Sequence, residues 1–229
     1  MSGDDSRLPS RLPQRILIYM LGMFFIALGV AFAVNSDLGI STVSSLPYVI
    51  SLVLCQPLSL CVTGVFCFAV LLQVVLLRRQ FEMIQLTQVI FSVLFGFLVD
   101  LSGLLLGELC LPGYLGRIIM TLVGVLLIAL GVTIYVEADL VPMPMEGLSL
   151  AIAKKCGCPF HRVKVVVDCS LVATGVVLSL CVLGRLEGIR EGTVISALLV
   201  GPLIPFFRHP IKPVIDRFCF PNCVIGTPK

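Results

Sequence analysis

Apolar residues follow one another in six long runs, each about the length of a helix that crosses a membrane. Such a helix needs about 20 apolar residues to span a hydrocarbon core about 30 Å thick. The last run is short and contains Pro202 and Pro205, which leaves its end open. The pattern therefore predicts an all-α polytopic membrane protein with spans at 16–34, 58–77, 84–106, 118–136, 163–183 and 194–207.

Two shorter segments, residues 42–54 and 146–155, lie between spans one and two and between spans four and five. At 1.5 Å per residue each helix would reach only about 15 to 20 Å, which is too short to cross comfortably. We interpret them as broken, re-entrant half-helices, which a membrane tolerates only where protein or a wet cavity satisfies the backbone.

The two halves of the chain echo each other. Asp37 and Asp139 stand 102 positions apart, and the same offset aligns Pro57 with Pro159. We therefore divide the chain into a first repeat, residues 1–115, and a second, residues 116–229. Each repeat reads as span, half-helix, span, span. Three crossings per repeat place the second upside-down relative to the first, the inverted-repeat architecture of many transporters.

Basic residues decide the expected orientation, because short cytoplasmic loops carry an excess of Lys and Arg. With residues 1–14 and 208–229 as cytoplasmic tails, only Arg117, Arg185 and Arg190 fall outside. A cytoplasmic (inner) membrane location with both termini inside follows. An eight-span alternative with parallel repeats keeps both termini inside too, and moves only Arg78, Arg79 and Arg117.

Composition supports a membrane protein with no separate soluble domain. Hydrophobic residues make up 58% and charged residues 13% of the chain, with a mean hydropathy of +1.10, whereas a soluble domain carries about 25% charged residues. The net charge of +3 lies beside apolar runs, so we expect no nucleic-acid partner. Cys156 with Cys158 and Cys219 with Cys223 could bind zinc, but neither spacing is the usual one, and plain thiols are the alternative.

Acidic residues next to the broken helices are the first candidates for a binding site. Asp37 and Asp139 end the first and fourth spans, where a carboxylate opposes the helix macrodipole and needs an offsetting cation, proton or amide group. Asp168 lies within the fifth span, four residues after Lys164 and on the same helix face. A carboxylate in a span is a functional hypothesis by default, with a structural ion pair as the alternative.

The N-termini of the half-helices are the second candidates, because their free N–H groups and partial positive charge suit an anion. In the first half-helix, hydroxyls fit capping and hydrogen-bond donation; they belong to Ser41, Thr42, Ser44 and Ser45. Glu146 fits the first turn of the second. Met143 and Met145 offer thioethers to copper(I) or pack as ordinary apolar residues.

The second half of the chain resembles the YczE/YitT-type family of bacterial membrane proteins. The resemblance rests on Ala138-Asp139-Leu140-x-Pro142-x-Pro144-x-Glu146-Gly147-Leu148, Lys154-Lys155-x-Gly157, Val163-Lys164-x-x-x-Asp168 and Ala197-Leu198-x-x-Gly201-Pro202. It implies a polytopic inner-membrane protein, often regarded as a transporter. The chain departs from that pattern at Val141, Met143 and Met145, where the family tends to have Gly, Gly and Arg.

These features predict a transporter or facilitator of a small anionic or zwitterionic solute, bound near the midplane between the two half-helices. The expected partners are the bilayer, the solute, a proton or sodium ion and, as an open alternative, a second copy of the chain. We find no enzyme motif and predict no cofactor and no resident metal. The alternatives are a substrate-binding membrane subunit of a larger transporter and a membrane scaffold without transport.

Overall fold

The computed structural model describes residues 12–78 and 83–219, and within these ranges the chain is helical and has no strand. Residues 220–229, with Cys223, and the predicted N-terminal tail up to residue 11 lie outside the described residues. A 3₁₀ turn, Met83–Leu86, precedes α4, and a π-helical turn, Ser179–Leu183, extends α7. The helices are α1 (Leu12–Ser36), α2 (Thr42–Leu54), α3 (Leu58–Leu77), α4 (Thr87–Leu106), α5 (Gly113–Glu137), α6 (Pro144–Cys156), α7 (Phe160–Leu178) and α8 (Glu191–Cys219).

Six of these helices are long and apolar enough to cross a membrane. They are α1, α3, α4, α5, α7 with its π turn, and α8, so the predicted polytopic membrane fold is confirmed. The predicted half-helices are α2 and α6, each with 13 residues. α8 extends beyond the predicted span: its helix continues through residues 208–219, which the sequence pattern assigned to a tail, and Ile215 and Cys219 are buried there.

α1 and α5 are the two helices that pack most extensively against each other, and they run antiparallel. Gly22 of α1 faces Gly131 and Tyr135 of α5, while Gly29 faces Gly124 and Ile128. A side chain at any of the four glycines would meet backbone atoms of the opposite helix at 2.5 to 2.8 Å. Small residues at these positions therefore let the two backbones touch, as in many membrane helix pairs.

The contacts of this pair are reciprocal. Gly22 and Gly124 are 102 positions apart in the sequence, and so are Gly29 and Gly131. The contact of Gly22 with Gly131 thus corresponds to the contact of Gly124 with Gly29 when the two halves are exchanged. α1 and α5 therefore contact each other through corresponding positions of the two halves.

The half-helices repeat the same correspondence at their ends. α2 and α6 begin 102 positions apart, and they also end 102 positions apart. Each is followed by a residue with positive φ, Cys55 at 51° and Gly157 at 64°, which is a common way for a helix to end. α2 packs against α3 and α7, and α6 packs against α7 and α3. α3 also packs against α4, which links these helices to α1, α5 and α8.

Candidate functional site

Three charged side chains meet where α6 begins and α7 passes it. The Lys164 Nζ lies 2.8 Å from Asp168 Oδ1 and 3.7 Å from Glu146 Oε1. Each side chain keeps between 21% and 24% of its surface exposed, so the group is neither sealed in the core nor free in solvent. We call these three residues the charged cluster.

Helix geometry places the charged cluster inside the apolar part of the chain. Lys164 and Asp168 are one turn apart on α7, and Glu146 is the third residue of α6. At 1.5 Å per residue, Lys164 lies about 6 Å and Asp168 about 12 Å from the start of α7. The cluster therefore occupies the first third or so of that span, off-centre toward the end where α6 meets α7.

Two buried tyrosines border the cluster from α1 and α5. The Tyr19 and Tyr135 rings are 5.6 Å apart in an edge-to-face arrangement, and both side chains are almost fully buried. Both tyrosines lie near the Glu146 carboxylate, and the Tyr135 hydroxyl group is within hydrogen-bonding reach of it. Sequence reasoning missed these two residues, because nothing local to Tyr19 or Tyr135 shows that Glu146 lies beside them.

The charges of the cluster do not balance. One ammonium group faces two carboxylates, which leaves an excess negative charge when all three groups are ionised. An excess charge in a low-dielectric region favours the arrival of a proton, a cation or a positively charged group of a ligand. The cluster is therefore suited to binding and releasing positive charge.

A buried glutamine pair supports the first turn of α6 from the other side. The Gln73 Nε2 donates to Gln88 Oε1 at 3.0 Å and to the Pro144 carbonyl oxygen at 2.9 Å. Gly147 lies so close that a Cβ there would be 2.7 Å from Gln73 Oε1. Sequence reasoning missed this pair, although Gln73 is the one amide in the apolar run 58–77.

Comparison with known proteins places the chain in a family. A model described as a family of unknown function, DUF6198, matches residues 13–209. The chain belongs to the DUF6198 family. The matched range contains the whole charged cluster of this DUF6198 protein and all but the end of its last helix.

Relatives of this DUF6198 protein give a shorter match. An uncharacterized protein of Haemophilus influenzae is 30% identical over 95 residues, which cover 41% of this chain and 39% of the relative. The aligned part of the chain thus spans about two fifths of that relative's length. No solved structure matches the chain.

The predicted site residues of the DUF6198 protein fall into separate groups. The Asp37 carboxylate forms ion pairs with two arginines. Its Oδ2 lies 3.1 Å from Arg117 Nη1 and 3.5 Å from Arg190 Nη1. At the opposite end of the α1/α5 pair, Arg15 donates to the Asp139 carbonyl oxygen, and its guanidinium is 3.8 Å from the Asp139 carboxylate. Protein guanidinium groups therefore supply the cation that a carboxylate at a helix C-terminus requires.

The two ion pairs correspond to each other between the two halves of the chain, as the glycine contacts do. Arg15 and Arg117 are 102 positions apart, like Asp37 and Asp139, so the two ion pairs correspond. Both aspartates also have positive φ, 54° and 49°, which Asp tolerates better than most residues. Asp37 and Asp139 close the two ends of the α1/α5 pair, and neither is part of the charged cluster.

The hydroxyl groups at the start of α2 make local contacts, and their role in binding a solute stays a prediction. Ser41 occupies the N-cap position, but its side chain makes no capping hydrogen bond, so the capping prediction is wrong there. Ser44 and Ser45 are buried, and Ser45 Oγ donates to the Thr42 carbonyl oxygen at 2.7 Å. A buried hydroxyl group in a short helix can donate its hydrogen bond to a carbonyl oxygen of the preceding turn. The hydroxyl group is then less available to a ligand.

The two short helices contact α7 at different levels. The first turns of α2 and α6 both contact α7, but Leu46 of α2 faces Gly175 while Glu146 faces Lys164. Eleven residues of helix separate these points, which corresponds to about 16 Å. The structure therefore brings together Glu146, Lys164 and Asp168, and leaves the Ser41–Ser45 region apart from them.

The two methionines at the start of α6, Met143 at the N-cap and Met145 in the first turn, pack as ordinary apolar side chains. Met143 is 7% and Met145 is 2% exposed, and both belong to the hydrophobic core with Tyr19 and Tyr135. Among the described residues, no group of three or more His, Cys, Asp or Glu side chains is placed to hold a metal ion. Met143 and Met145 contribute to packing around the cluster.

Proposed function

We propose that this DUF6198 protein is a membrane transporter or facilitator of a small zwitterionic solute, which binds at the charged cluster. The observation that carries the proposal is the excess carboxylate of Glu146 and Asp168 around Lys164. A charge placed within a membrane span is costly, by at least about 2.5 kcal/mol at the centre and by less toward the ends of the span. A purely structural ion pair needs one carboxylate, and the second one adds cost without adding balance.

The chemistry around the cluster supports a solute with two opposite charges. The excess carboxylate suits a cationic group, such as an ammonium. The first helical hydrogen bond of α6 runs from the Gly147 N–H to the Met143 carbonyl oxygen, so the N–H groups of Met145 and Glu146 have no acceptor within the helix. These two N–H groups suit the anionic end of the solute.

Ion coupling is part of the same proposal. When the solute leaves, the excess negative charge of the cluster is compensated by a proton or a sodium ion. Exchange between the solute's cationic group and that ion would couple their movements across the membrane.

The six-span inverted arrangement is supported by contacts between residues that an eight-span arrangement would separate. Asp37 and Arg117 form an ion pair, although eight spans would place them on opposite sides of the membrane. Arg78 lines one cleft together with Lys154 and Lys155, which eight spans would also separate. Six spans with α2 and α6 re-entering, as in many inverted-repeat transporters, keep each set on one side.

Two natural cysteines provide a direct test of this arrangement. Cys110 and Cys158 are both exposed, in the loops that follow α4 and α6. In variants that keep one cysteine each, a membrane-impermeant maleimide applied to intact cells is expected to label Cys110 and to spare Cys158. After membrane solubilisation both should react. Protection of Cys110 in intact cells would favour the eight-span alternative.

A cytoplasmic membrane location with both termini inside follows from this arrangement and from the positive-inside rule. The resemblance to YczE/YitT-type proteins agrees with it. The apolar surfaces of α7 and α8 face outward, and lipid or a second copy of the chain would cover them.

Transport itself is tested in liposomes with the variant Asp168→Asn. We expect an amino acid gradient to drive solute-dependent charge or proton movement through the wild type, measured with a pH dye and by electrophysiology on a supported membrane. Asp168→Asn removes the excess charge and should reduce this signal at least about tenfold, the effect of losing one charged contact of about 1.4 kcal/mol.

The matched control is Asp100→Asn, which also changes a carboxylate within a span. Asp100 accepts a hydrogen bond from Ser59 Oγ at 2.5 Å on α3 and is not in the cluster. It should transport like the wild type. If no amino acid, amine or carboxylate produces a signal in liposomes, the stand-alone transporter fails. Activity that returns with an added ATPase would favour the subunit alternative.

A further inference from the structure

A cleft of about 570 Å³ opens where α3 and α6 end side by side. Its walls are Leu76, Leu77 and Arg78 of the α3 end and Lys154 and Lys155 of the last turn of α6. The cleft therefore combines three cationic side chains with two leucines, at the level where the apolar run of α3 stops.

The three cations of this cleft differ from most others in the chain. Arg15, Arg117, Lys164, Arg185, Arg190 and Arg208 each form an ion pair with a carboxylate. Arg78, Lys154 and Lys155 are exposed and have no carboxylate partner among the residues that the structure describes. Like charges brought together at a surface repel each other, and an anion from outside would relieve that repulsion.

Part of the basic charge has a structural use, since Lys154 and Lys155 complement the negative end of the α6 macrodipole. Arg78 at the end of α3 can do the same for α3, but neither helix end requires that cations of both helices line one cleft. The convergence of cations from two helices is the arrangement that binds an anionic head group at a membrane surface.

We infer that this cleft binds the phosphate group of an anionic phospholipid. The phosphate would lie among Arg78, Lys154 and Lys155, and the first methylene groups of the acyl chains would lie on Leu76 and Leu77. A free phosphate ion also carries negative charge, but it has no apolar part that would contact Leu76 and Leu77. The bound lipid would bridge the end of α3 to the half-helix that carries Glu146.

The test is a titration of the purified, delipidated protein with phosphatidylglycerol in detergent, followed by native mass spectrometry. Phosphatidylglycerol should bind at least tenfold more tightly than phosphatidylcholine with the same acyl chains. The double variant Lys154→Gln/Lys155→Gln should bind phosphatidylglycerol about 30-fold more weakly, since one basic residue near an anionic lipid surface contributes on the order of a fivefold effect.

The matched control is Lys212→Gln/Arg217→Gln, which removes two cations from the end of α8 instead, where neither has an ion pair among the described residues. It should bind phosphatidylglycerol like the wild type, and circular dichroism should show the same melting temperature for both variants. Equal binding of phosphatidylcholine, or equal losses in the two double variants, would overturn the inference. Displacement of the lipid by an equal concentration of glycerol 3-phosphate would also overturn it, because it would show a site for free anions.

Discussion

Replacing Lys164 by methionine is expected to destabilise the protein strongly, although the change adds no bulk. The substitution leaves Glu146 and Asp168 facing each other in a largely apolar setting without the ammonium that lies between them. Removing one partner from a buried ion pair typically costs about 3–5 kcal/mol. Because each side chain is about one fifth exposed, we expect the lower end of this range, visible in detergent as a lower melting temperature by circular dichroism.

The triple variant Glu146→Gln/Lys164→Met/Asp168→Asn separates charge from packing. It removes the uncompensated carboxylates, so most of the lost stability should return, while any solute-dependent signal should remain absent. If Lys164→Met alone melts like the wild type, one of the carboxylates is already neutral without the lysine. The excess negative charge on which the proposed solute site depends would then be absent.

Replacing Gly131 by leucine is expected to prevent α5 from packing on α1. A Cβ at this position would lie 2.5 Å from the Gly22 carbonyl oxygen and 2.7 Å from Ile26 Cγ1. Overpacking usually costs about 1–3 kcal/mol, and here the obstacle is a facing backbone that no side-chain rotation can relieve. We expect a cost at or above the top of that range, with little monodisperse protein on size-exclusion chromatography.

Gly64→Leu is the matched control, because Gly64 also lies inside a membrane-crossing helix but has no atom within 4 Å of an added Cβ. Its variant should purify like the wild type. Equal damage in both variants would mean that leucine at a glycine position harms insertion in general. Wild-type behaviour of Gly131→Leu would contradict the close contact between α1 and α5.

The spans could be predicted from sequence because a membrane-crossing helix is marked by a continuous apolar run, a strong and local signal. The two short helices, α2 and α6, were predictable for the same reason, and their re-entry into the membrane stays a prediction. Even the correspondence of Asp37 with Asp139 was readable as an offset. Helix ends were less predictable: α8 passes Pro205, Pro210 and Pro213 and continues to Cys219, because burial of Ile215 and Cys219 there favours the extra turns.

The candidate site was predictable only where its residues are neighbours in sequence. Lys164 and Asp168 are one helical turn apart and were paired correctly, whereas their contact with Glu146 depends on how α6 packs against α7. The guanidinium partners of Asp37 and Asp139 lie 80 and 124 positions away in the chain. No periodicity encodes such a distance, and the same holds for Gln73 and Gln88, which meet only after α3 and α4 have packed.

The glycine contacts between α1 and α5 also restrict how the molecule can change shape. Two helices whose backbones touch at two levels, with an ion pair at each end, cannot slide or roll past each other without steric overlap. We therefore expect α1 and α5 to move together as one rigid body. In the proposed transport cycle, any opening toward one side of the membrane would come from helices packed around that pair, among them α6 and α7, which carry Glu146, Lys164 and Asp168.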